Sequence, residues 1–129
     1  MSKELTIQQV AQSSGLSVHT LRYYERIGLL DPIERASSGH RRYTSADIEW
    51  LRFLVYLRAT GMSIRQMQNC AELRRGGATT ERERLAFLEE HRQRLQQQQR
   101  KLEDHLSYID QKIAYLQAKL ASEEVVTAS

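Results

Sequence analysis

Residues 17–43 read SVHTLRYYERIGLL (17–30) and then DPIERASSGHRRY (31–43). The first stretch predicts a short helix. Ser17 is placed to cap it through its hydroxyl, and Gly28 falls where a left-handed residue closes a helix. Its exposed face carries hydroxyls, an arginine and tyrosines. Asp31-Pro32 opens the next stretch, and Ser37-Ser38-Gly39 predicts a turn. The second stretch therefore reads as a two-stranded wing with arginines at its far side. A helix for a groove beside a basic ribbon for phosphates suits duplex DNA.

Outward from this stretch, helix starts are well marked. Thr6 with Gln9, Ser63 with Gln66 and Thr80 with Glu83 have capping-box form, and Thr44 with Asp47 is a weaker relative. These caps predict helices over about 7–14, 18–27, 45–59, 64–74 and 81–120. Gly15-Leu16-Ser17 joins the first two, and Val10, Ala11, Leu16, Val18, Leu21 and Ile27 share one apolar face. That is helix-turn-helix grammar, in which the first helix braces and the second reads. Leu29 and Leu30 are expected beneath the wing. Trp50, Leu51, Phe53, Leu54 and Leu57 pack a third helix onto the unit; Ile64, Met67, Ala71 and Leu73 pack a fourth. The expected fold is mainly α. A winged helix-turn-helix domain spans 1–75, a hinge 76–80, a dimerisation coiled-coil helix 81–120 and a flexible tail 121–129.

The last helix has its own pattern. Leu85, Leu88, Arg92, Leu95, Gln99, Leu102, Leu106, Ile109, Ile113, Leu116 and Leu120 alternate steps of three and four. The apolar members form a heptad seam, with Arg92 and Gln99 as register-setting interruptions. A forty-residue helix is about 60 Å long. So long a helix with so narrow a stripe calls for a partner, most simply a second copy of this chain. The alternative is packing against the chain's own N-terminal helices.

The 129 residues carry a net charge of +3, unevenly spread. Residues 1–75 hold eleven Lys/Arg against seven Asp/Glu, net +4, and residues 76–129 hold eight against nine, net −1. The basic excess sits in the half with the reading helix, where it attracts phosphates irrespective of sequence. The only cysteine, Cys70, excludes an intrachain disulfide and suits a reducing cytosol. No membrane span and no apolar signal core are read, so a cytoplasmic, membrane-free protein is expected. No nucleophile elbow, Walker loop, zinc spacing or paired-carboxylate site appears, so neither an enzyme nor a resident cofactor or metal is expected.

Within the candidate site, Arg22 is placed to take a guanine edge or a phosphate; a surface ion pair with Glu25 or Glu49 is the plainer role. Ser17, His19 and Thr20 sit at the end of the helix that enters a groove first, with His19 equally readable as a solvated cap residue. Tyr23 and Tyr24 are adjacent and face different ways, one into the core and one toward phosphate. On the wing, Arg41, Arg42 and Tyr43 are expected to clamp the backbone. Arg41 and Arg42 point to opposite faces of a ribbon. Arg35 and Arg58 are further backbone candidates.

Taken together, these residues resemble the MerR family of bacterial transcription regulators. Thr20-Leu21-Arg22-Tyr23-Tyr24-Glu25 with Gly28-Leu29-Leu30 is similar to that family's recognition helix, and Gly39-His40-Arg41-Arg42-Tyr43 to its wing. Thr44-Ser45-Ala46-Asp47-Ile48 resembles the start of its next helix, and Arg58-Ala59-Thr60-Gly61-Met62-Ser63-Ile64 its second wing region. The close resemblance covers residues 5–75. It implies a homodimer on a pseudo-palindrome within an overlong promoter spacer. The operator is bent and untwisted so that RNA polymerase engages both promoter elements, commonly under control of an effector. It also implies Tyr24 as the phosphate contact. Metal-sensing members carry several thiolates around the dimerisation helix, whereas residues 76–129 hold none. The aldehyde- and thiol-stress branch is similar in size, but its characteristic cysteine falls at about Leu57 here. Cys70 is accordingly read as a buried small hydrophobe, with a thiol-sensing role the lesser alternative. His91 and His105 are expected to face solvent. With no ligand-binding barrel expected, any effector is placed between the helices around 60–90 or at the dimer interface, and the absence of an effector is the alternative. An architectural, excisionase-like DNA-binding protein is the competing reading.

Overall fold

The computed structural model describes residues 5–31 and 42–128. Its elements are α1 (Ile7–Ser14), α2 (Val18–Arg26), α3 (Ser45–Ala59), α4 (Ile64–Arg75), a 3-10 turn (Gly77–Thr80) and α5 (Glu81–Ala128). Among the described residues the sole β pairing is an isolated antiparallel bridge between Leu5 and Tyr43. Their amides and carbonyls exchange bonds of 2.9 and 2.8 Å. The turn expected at Ser37-Ser38-Gly39, and with it Arg35 and Arg41, lies outside the described residues. None of the described helices is long and apolar enough to cross a membrane.

Three helices start as their sequences direct. Thr6, Thr44 and Ser63 adopt extended backbone and accept from the amide three residues on, while Gln9, Asp47 and Gln66 return the bond. Each box satisfies two of the amides a helix start leaves unpaired. Thr80 departs from this pattern. It lies inside the 3-10 turn, and its hydroxyl donates to the carbonyls of Leu73 and Gly77. The chain thus enters α5 already coiled, so Thr80 makes no extended cap. Gly76 precedes that turn in ordinary right-handed backbone. A Cβ there would fall 2.3 Å from the Thr80 methyl, so the close approach needs glycine.

The chain divides into two compact units, residues 1–87 and 88–129. The first is built around a core of Ile7, Val10, Leu21, Tyr24, Leu29, Leu30, Tyr43, Trp50, Leu51, Leu54, Leu57, Met62, Met67, Cys70 and Ala71. Ala11, Leu16, Val18, Ile27, Phe53 and Ile64 flank it, half-buried. These are the faces that helical spacing selects. The second unit is the continuation of α5, which runs to Ala128, past the boundary expected at residue 120. His91 also departs from expectation. It is buried, and burial, aided by the charge of Arg94, lowers its imidazole pKa.

Candidate nucleic-acid interface

The reading helix α2 presents its first turn to solvent. The Ser17 hydroxyl caps the helix by accepting from the Thr20 amide at 3.1 Å, and it donates to the Thr20 hydroxyl at 3.0 Å. His19 and Arg22 are exposed. Arg26, four residues after Arg22, is exposed as well and shares its side of the helix. Its guanidinium lies 5.8 Å from the centroid of the Tyr23 ring. Leu21 and Tyr24, on the other side, are in the core.

The tyrosine pair divides the opposite way from what the family resemblance implied. Tyr24 is 6 % exposed and packs in the core, whereas Tyr23 is 38 % exposed. The reason lies in helix geometry. Leu21 and Tyr24 are three apart and meet the same apolar face, and Tyr23 is rotated away from it. Tyr43 also differs from its expected place as a backbone clamp. Its side chain is fully buried, anchored by the bridge to Leu5, and it serves the core. Arg42 beside it is half-buried. Arg58 is exposed, and its Nη1 donates to the Met62 carbonyl at 3.1 Å, bracing the turn between α3 and α4.

The far end of α2 is held by side chains distant in sequence. The Gln68 amide donates to the Ile27 carbonyl at 3.0 Å, Arg75 Nη2 donates to the Gly28 carbonyl, and the Trp50 indole donates to the Leu29 carbonyl at 2.7 Å. Asp31 accepts from Arg75 Nε at 2.9 Å and from Arg74 Nη1 at 3.4 Å. Arg74 in turn lies 4.5 Å from the Trp50 ring centroid. Gly28, at φ +84°, makes the left-handed turn that exposes these carbonyls to α3 and α4. No motif signalled this web, because its bonds span 21 to 47 residues. Arg26, by contrast, was within reach of the sequence through its four-residue spacing from Arg22.

Along α5, Leu85, Leu88, Leu102, Leu106, Ile109, Ile113, Leu116 and Leu120 are exposed, and Leu95 is half-buried. Tyr108 and Tyr115 widen the stripe on one side, both more than 60 % exposed. Cys70, on α4, is buried, and burial pushes its thiol pKa up against the opposing pull of Arg84 and Arg74.

Comparison with known proteins agrees with this layout. Residues 5–73 match the model of the MerR HTH family regulatory protein, and residues 48–111 match that of the MerR DNA-binding region. The HTH-type transcriptional regulator AdhR of Bacillus subtilis is 42% identical over 91 residues, 70% of this chain. The match spans 65% of AdhR, just under two thirds of its length. Among solved structures, HiNmlR, a MerR family regulator lacking the sensor domain and bound to promoter DNA, superposes with a TM-score of 0.80 at 34% identity. That likeness covers 92% of this chain and 94% of HiNmlR. A MerR family transcriptional regulator from Listeria monocytogenes gives a TM-score of 0.78 at 36% identity, covering 84% and 83% of the two chains. The family model spans more than half of the sequence, and the chain belongs to the MerR family of helix-turn-helix regulators.

Proposed function

We propose that this chain is a homodimeric, non-enzymatic regulator that reads a palindromic operator within a promoter spacer. The observation that carries this reading is the exposed face of α2, where His19, Arg22, Tyr23 and Arg26 stand clear of a fully packed core. In the proposed complex the α2 helices of two copies enter major grooves about one helical turn apart. Arg22 reads a base edge or grips a phosphate, and Ser17, His19 and Thr20 lie at the entering end. The wing arginines Arg35, Arg41 and Arg42, with Arg58, supply backbone contacts. Affinity for DNA then falls steeply as salt rises.

The heptad seam of α5 joins the two copies. Each half-exposed Leu or Ile forgoes about half of the roughly 1.5–3 kcal/mol that full burial contributes, and a second copy of the same stripe is the self-complementary cover. Bound across an overlong spacer, the dimer bends and untwists the operator under control of an effector, bringing both promoter elements into register for RNA polymerase. HiNmlR, which lacks a sensor domain and binds promoter DNA, supports the DNA-binding part of this reading. Footprinting across a genome, followed by binding to the strongest site in vitro, tests it. Protection of an inverted repeat inside a promoter spacer is expected. Protection confined to recombination sites would favour the architectural reading instead.

A further inference from the structure

The C-terminal end of α2 and the turn after it have an unusual set of backbone partners. Backbone amides serve the carbonyls of Tyr23, Tyr24 and Glu25. In the turn beyond, the carbonyls of Ile27, Gly28 and Leu29 accept from Gln68, Arg75 and Trp50. Three consecutive peptide planes are thus pinned to α3 and α4 from different directions, which fixes rotation as well as position. Arg75 does the most. One nitrogen reaches the Gly28 carbonyl and another the Asp31 carboxylate, so a single planar fork spans both sides of the turn that leaves α2. Its charge also sits at the helix end where carbonyl dipoles favour a cation. Arg74 closes the web through Asp31 and the Trp50 ring.

We infer that Arg75, with Asp31 and Gln68, sets the aim of the reading helix, and so acts as a positioning residue for operator recognition without touching DNA. This rests on the DNA-binding function proposed above. Reading a base edge demands hydrogen-bond geometry, whereas phosphate attraction tolerates small rotations. Loosening the web therefore weakens recognition of the right sequence and leaves general attraction to DNA intact. A direct phosphate contact by Arg75 behaves otherwise. It contributes equally to every sequence, and its loss lowers the salt slope by about one.

The test uses the full chain and two probes: duplexes that the wild-type protein selects from a randomised pool, and random-sequence duplex of equal length. Arg75→Ala and Gln68→Ala should each bind the selected duplex about five- to a hundredfold more weakly, the loss of one aligned base contact. Binding to random duplex and its salt slope should stay at wild-type values. Asp31→Asn should shift affinity the same way, and adding it to Arg75→Ala should cost little more, since both act through one web. Circular dichroism melts accompany each variant. Where Arg75→Ala unfolds, Arg75→Lys, which keeps the charge and loses the fork, carries the same expectation. Equal losses on both probes with a shallower salt slope would overturn positioning in favour of phosphate contact. Unchanged affinity for the selected duplex would overturn it outright. A wild-type chain that enriches no duplex would instead overturn the DNA-binding reading, and this proposal with it.

Discussion

The two units of this chain use the same kinds of residue to opposite ends. In residues 1–87, Leu21, Leu29, Leu51, Leu54, Leu57 and Met67 are at most 1 % exposed. In residues 88–129, Leu102, Leu106, Ile109, Ile113, Leu116 and Leu120 remain 47 to 60 % exposed. Side-chain chemistry does not distinguish them; the number of layers does. Four short helices enclose a common core, so each apolar face meets another. A single helix has no second layer, and a stripe two residues wide per heptad is left open. The core of the first unit is closed within one copy of the chain. In the second the stripe stays open in a single copy.

The sharpest way to break this contrast is to place a charge in the open stripe. In a homodimer each substitution occurs twice, and two unpaired carboxylates buried together cost about 5 kcal/mol or more. Ile109→Asp should therefore convert the dimer to monomer in sedimentation equilibrium while the melting of the first unit is kept. A dimer that survives it would show that the stripe is not the contact. Leu54→Ala makes the converse cut, removing a fully buried side chain from the first unit. It should cost about 2–5 kcal/mol in urea unfolding and leave self-association unchanged. A coupled loss of both would mean that the units do not fold independently.

Arg22→Ala is milder and touches neither core nor stripe. It should weaken operator binding by about 1–3 kcal/mol if the side chain reads a base, with stability held within a few tenths of a kcal/mol. Fluorescence anisotropy on the footprinted site measures it, and unchanged affinity would remove Arg22 from the interface.

What the sequence made legible follows the range of the signals. Helix starts are local, and Thr6, Ser17, Thr44 and Ser63 cap where their hydroxyls and partners three residues on direct. The heptad seam is periodic, and its exposure in one copy follows from its narrowness. Thr80 shows where a local signal fails: the spacing to Glu83 is right, but the preceding 3-10 turn takes the hydroxyl. Tyr43 shows another limit. Basic neighbours suggested a surface role, whereas its pairing with Leu5, 38 residues earlier, draws the ring inward. The web around Ile27, Gly28 and Leu29 was invisible for the same reason. Gln68, Trp50 and Arg75 match no pattern, because their partners are backbone carbonyls that only the tertiary fold brings near.

Cys70 gives the finest test of how closed the first unit is. Its thiol is buried and its pKa raised, chiefly by desolvation, so little thiolate exists near neutral pH. Because the thiolate is the nucleophile, carbamidomethylation by iodoacetamide at pH 7.5 should run about tenfold or more slower in the native chain than in urea. The sign for stability is fixed by linkage. Above the ordinary thiol value of about 8.5, the unfolded chain loses a proton that the folded chain keeps. Stability therefore falls as pH climbs past that point, and Cys70→Ala should flatten this part of the profile. Arg84 and Arg74 pull the thiol the other way, which limits the size of the effect. Cys70→Ser should leave any inducer response intact. Labelling as fast as in the unfolded chain would mean that α4 opens readily, and would return Cys70 to consideration as a sensor.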